Sequence, residues 1–128
     1  MTFSDAADSP DPRTTHPKMA PPGLETLSYE AFVAHVDRLP TADVLALAHA
    51  MTQRRLEPPT LDLYRVVEAQ LDYMQAFEAV GVEPSDDERE RVTVGVIAAR
   101  NFDDVDPWYG RVLSVASYRF RHRGQPLP

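Results

Sequence analysis

An all-α fold, a small bundle of four to five helices behind a disordered Pro-rich N-terminal tail, is what this sequence predicts. Three observations carry the prediction. Apolar residues recur at three- and four-residue spacing from Tyr29 to Phe120. The stretches between these periodic runs are short, and no strand finds a convincing partner. The chain has 128 residues, of which about a hundred are foldable, enough for one domain with a real core.

Residues 1–27 carry five of the twelve prolines among Ser, Thr, Asp and Ala. Such a composition buries too little apolar surface to offset its ordering entropy, so it reads as a disordered tail. The helical bundle is expected over 28–124. Ser28 is a fair N-cap for a first helix with Tyr29, Phe32, Val33, Val36 and Leu39 on one face, ending before Pro40. Thr41 can cap a second helix, Ala42 to about Leu56, which Pro58-Pro59 stops.

The longest helix runs from Leu61 to Val80 and ends at Gly81, a residue suited to the left-handed backbone after a helix. Leu63, Val67, Leu71, Met74 and Phe77 form its stripe, and Arg65, Glu68, Asp72 and Gln75 its opposite side. Ser85-Asp86-Asp87-Glu88 is a capping box that opens a fourth helix to about Asn101. The β-branched run Val92 to Val96 competes as a short strand, but the box and the absent partner strand decide for helix. Gly95 inside it costs about 1 kcal/mol against Ala, which suggests close approach of another helix. Asp106-Pro107 starts the fifth helix, to about Arg121, with Asp106 expected to accept from first-turn amides.

Charge and composition exclude several classes. The formal net charge is −7, which argues against nucleic acid, because phosphate binding needs a basic surface. Residues 60–106 hold twelve carboxylates and four arginines, whereas 107–128 hold four arginines and no acid. Such a dipolar chain can be steered towards a basic partner. No cysteine is present, so disulfides, thiol catalysis and zinc-thiolate sites are out. No apolar run approaches the roughly 20 residues of a membrane span and no secretory pattern opens the chain, so a cytoplasmic protein that does not bind membranes is expected.

The search for chemistry returns nothing catalytic. His16, His35, His49 and His122 are scattered outside any metal-binding pattern, and no glycine-rich phosphate cradle exists. The Asp103-Asp104-x-Asp106 run lacks the glycine and the distant glutamate of a calcium loop. Neither a metal nor a cofactor is expected, and the chain is not expected to be an enzyme.

An interaction role fits better. Asn101 to Gly110 packs three carboxylates beside Trp108, the only tryptophan. Trp108 lies on the apolar stripe of its helix, while Tyr109 is the aromatic expected to stay wet and face a partner. Glu68 and Asp72, four residues apart on an exposed face, repel each other, as a surface kept for a charged partner would.

The runs Glu68 to Met74, Arg91 to Pro107 and Leu113 to Tyr118 resemble a family of small helical bacterial immunity proteins that neutralise NAD(P)+-hydrolysing type VI secretion effectors. The most specific parts are Thr93-x-Gly95-x-x-Ala98 and Phe102-Asp103-Asp104-x-Asp106-Pro107. The chain departs from that pattern at Asn101, where an acid is expected, and in the aromatic residues after Pro107. The resemblance implies a non-catalytic inhibitor that binds the toxin domain of a cognate effector and occludes its active site. The expected partner-binding residues are Glu68, Asp72, Asp103, Asp104 and Tyr109. A helical regulatory or effector-adaptor protein with a different basic partner is the alternative, and a homo-oligomer is left open.

Overall fold

A computed structural model describes residue 24 and residues 26–56 and 62–123. Six helical segments follow one another among them, with no strand: α1 (Tyr29–Arg38), α2 (Thr41–Arg54), α3 (Asp62–Val80), the short α4 (Asp86–Glu90), α5 (Val94–Asn101) and α6 (Pro107–Arg121). The fold is all-α. Most of the expected tail lies outside the described residues, but Leu24 and Leu27, assigned to it, pack against the core. Pro58 to Leu61 and Gly124 also fall outside.

Local chemistry sets most boundaries. The Ser28 hydroxyl accepts from the Ala31 amide at 3.1 Å and starts α1. Pro40 forces Leu39 into extended backbone (φ −72°, ψ 145°) and ends it. Pro40, rather than Thr41, then occupies the cap of α2, its carbonyl accepting from Asp43 and Val44 at 3.0 Å each. Gly81, at φ +71°, sends its amide back to the Phe77 carbonyl at 2.9 Å and closes α3.

The helix expected from Ser85 to Asn101 is two helices. The capping box forms in full at Ser85 and Glu88, but α4 stops after one turn. The reason lies in α3. Gln70 accepts from the Thr93 amide at 2.7 Å and donates to the Thr93 hydroxyl at 2.8 Å, so the amide that would continue the helix is used elsewhere. Arg121 reaches the freed carbonyls of Arg89 and Val92 at 3.4 and 3.3 Å.

The core gathers Phe32 and Val36 of α1, Val44, Leu45, Ala48 and Met51 of α2, and Val67, Leu71 and Met74 of α3. Val92, Val94 and Ala98 at and before α5, Phe102 after it and six apolar residues of α6 complete it. Helix α6 is the hub: it packs on α5, α2, α1 and α4, and α3 lies on α2. Rings of Tyr73 and Phe77 carry α3 across to Phe120, with centroids 6.1 and 5.3 Å away. Because α6 is surrounded, its buried face is wide and takes in Leu113 and Phe120 as well as Trp108, Val112 and Ala116. At Gly95 the approach of α5 to α6 is as close as expected, since a Cβ there would stand 2.9 Å from Ser117 Oγ.

The C-terminal arginines do more than complement the dipole of their own helix. Arg119 donates to the Leu39 and Asp37 carbonyls at the end of α1, and Arg123 pairs with Glu78 of α3. Arg89 of α4 returns a bond to the Arg123 carbonyl. The Arg119 bonds satisfy carbonyls that the end of α1 leaves orphaned. Among the described residues, no helix is long and apolar enough to cross a membrane.

Candidate partner-binding surface

The first part of the surface lies where α3 meets α2. Helical spacing puts Glu68 and Asp72 one turn apart, beside the buried Val67 and Leu71. His49 of α2 bonds Asp72 at 2.7 Å, and Gln53, one turn further on, donates to Glu68 at 2.7 Å. Arg65 stands 3.8 Å from Glu68. The two acids are thus aimed by a neighbouring helix instead of waving freely, while Asp72 keeps 64% of its side chain in solvent. Surface pairs of this kind add little to stability. Their effect is on orientation.

The second part is the turn from Phe102 to Asp106, between α5 and α6. Phe102 is buried and anchors it, stacked on Tyr64 at 5.6 Å and tilted on Tyr109 at 4.9 Å. The Ala98 carbonyl accepts from both Phe102 and Asp103 at 2.9 Å, and Phe102 in turn accepts from Val105 and Asp106. Asp103 and Asp104 project outwards, both exposed. Partial burial, then the charge of Asp104, push the Asp103 carboxyl above the ordinary carboxylate range, with Arg111 opposing. Gly110 makes room for it, because a Cβ at that position would sit 2.5 Å from Asp103 Oδ1.

Two expectations at this corner are corrected. Asp106 does occupy the cap of α6, but its carboxylate makes no capping bond. It takes a two-point contact from Arg55 at the end of α2 instead, Nε to Oδ2 at 2.8 Å and Nη2 to Oδ1 at 3.0 Å. Such a fork is the stronger use of a carboxylate. Tyr109 is not a wet, partner-facing aromatic; it is fully buried. One turn before Leu113, it lies on the α6 face that α2 covers, with its hydroxyl 2.8 Å from Thr52 Oγ1 and the Arg55 guanidinium 4.4 Å above its ring. Burial pushes its phenol up to about 12. Trp108 is core too, stacked on Phe32 at 4.4 Å.

Arg55 is the residue that sequence reasoning missed. Its partner lies 51 positions away, and no local pattern marks it. The side chain is 2% exposed, and its remaining nitrogen donates to the Met51 carbonyl at 2.8 Å.

A groove of about 590 Å³ on the outer side of α6 contains one carboxylate, Asp37, already paired with Arg111 at 3.0 Å. Among the described residues no three His, Asp or Glu side chains stand close enough to hold a metal ion.

Comparison with known families decides the class. The Tsi6 family model matches residues 41–122. The chain belongs to the Tsi6 family, whose members are type VI secretion immunity proteins. Neither the curated proteins nor the solved structures contain a match. The Tsi6 span runs from α2 through α6, so it includes both parts of the acidic surface and the Arg55–Asp106 contact beneath one of them. Tsi6 membership makes the partner a protein, the cognate effector.

Proposed function

We propose that this immunity protein binds the toxin domain of its cognate effector through Glu68, Asp72, Asp103 and Asp104 and occludes the toxin's active site, acting in the cytoplasm. The toxin is a NAD(P)+ glycohydrolase. The observation that carries the reading is the fixed orientation of the acids, with Asp72 and Glu68 held by His49 and Gln53 and the Asp103 turn anchored by Phe102. A pocket built to hold the phosphates of a dinucleotide is basic, so an acidic surface of fixed shape complements it. Fixing the shape before contact lowers the ordering cost of binding. Tyr109 contributes from below, as the platform under Arg55, and makes no contact itself.

The test is co-expression with the toxin encoded by the adjacent gene, scoring growth and cellular NAD+. Rescue of growth together with restored NAD+ is expected, and charge reversal of Glu68, Asp72, Asp103 and Asp104 should abolish it without unfolding the chain. Rescue from a toxin that leaves NAD+ untouched would discard the glycohydrolase. Full rescue by every reversal would discard the surface.

A further inference from the structure

Beyond Phe102, which anchors its first residue in the core, the turn that carries Asp103 and Asp104 has little of its own to hold it. Three carboxylates fall within four residues, and they repel one another. Its amides bond to the Ala98 and Phe102 carbonyls, and its Asp106 carbonyl accepts from Gly110. Its one buried charged connection to the rest of the molecule is the fork from Arg55 to Asp106, whose side chains are 2% and 13% exposed. Arg55 is itself fixed on every side. Its third nitrogen is bonded to Met51 O, its plane lies over Tyr109, and Tyr109 is held through its hydroxyl by Thr52, which donates to the Ala48 carbonyl at 2.8 Å.

We infer that Arg55 is a positioning residue for effector binding: the α2 guanidinium holds the Phe102–Asp106 turn in the shape that presents Asp103 and Asp104. This rests on the binding surface proposed above. A purely structural bond between α2 and α6 would not need charge. Apolar pairs of similar volume replace buried ion pairs with no loss of stability, and often with a gain. What an apolar pair cannot do is fix a carboxylate at two points in one plane. The fork also withdraws Asp106 from the acidic corner, leaving Asp103 and Asp104 as its outward charges.

Arg55→Lys keeps the charge and loses the fork, and the double variant Arg55→Met with Asp106→Leu keeps the packing and loses both. Hydrogen exchange on the free protein reads the turn directly, through the amides of Asp103, Val105 and Asp106, which are bonded to Ala98 and Phe102. At least tenfold faster exchange is expected there in both variants, with the α3 core amides of Val67 and Leu71 unchanged. Affinity for the purified toxin domain should fall at least tenfold, while Val44→Ala, a core change in the first turn of α2 at the opposite end from Arg55, should bind within about twofold of wild type once folded. Unchanged turn exchange would overturn the inference. So would a loosened turn with an affinity no lower than that of Val44→Ala. A wild-type chain that fails to bind the toxin would instead sink the surface proposed above, an outcome the exchange data keep separate.

Discussion

Asp103 is held in a setting that suits a partner better than it suits the free chain. Its carboxyl is raised by burial and by Asp104, so the folded state holds the proton more tightly than the unfolded state does. Its contribution to stability is therefore complete below the ordinary carboxylate range, about 3.9, and is lost as pH rises through the raised folded value. Asp103→Asn mimics the protonated form. The variant should melt at a higher temperature than wild type at pH 7, with the gap closing on acidification, while toxin binding weakens. Melting curves across pH check this, and a gap independent of pH would refute it. Tyr109 and Asp106 mark the limit of reading single residues from sequence. Both were placed by local rules, yet their partners Thr52 and Arg55 are 57 and 51 positions away. Asp72 lies exposed, as helical periodicity alone implies, whereas Glu68 is half-buried against Gln53.

Most helix ends with local causes were read correctly, whereas the break between α4 and α5, set by a tertiary contact, was not. Ser28, Gly81 and the Ser85 box act within four residues of themselves, so their helix ends are written in the chain. The break between α4 and α5 depends on Gln70, 23 residues before Thr93. The only sequence trace of it was the β-branched run that competed as a strand. The approach of α5 to α6 is testable by crowding. Gly95→Ala gains about 1 kcal/mol of helix propensity, but its Cβ meets Ser117 Oγ at 2.9 Å. Overpacking of this kind costs about 1–3 kcal/mol, so a net loss of up to about 2 kcal/mol is expected in denaturant unfolding. Adding Ser117→Ala removes the Oγ and should recover most of it. Equal stability of the single variant and wild type would mean that the helices have room to part.

Over the whole molecule, charge is sorted as the chain order implies. Acids gather on α3, α4 and the corner, whereas Arg119 and Arg121 of α6 are bonded to carbonyls at the ends of other elements. The net charge of −7 predicts association with a basic toxin that is fast at low salt. Raising ionic strength from about 0.01 to 0.15 M shortens the Debye length from about 30 to about 8 Å, so the association rate should drop far more than the dissociation rate rises. Glu68→Lys with Asp72→Lys should flatten that dependence, as stopped-flow or surface-binding kinetics would reveal. A salt-independent association rate would rule out steering. The hub position of α6 also bears on biosynthesis. A chain emerging from the ribosome has α1, α2, α4 and α5 before it has the helix on which all four pack, and Arg119, Arg121 and Arg123 follow all of them. Protection therefore begins only after synthesis of α6, and a premature stop anywhere before Pro107 should leave a cell as vulnerable as one lacking the gene.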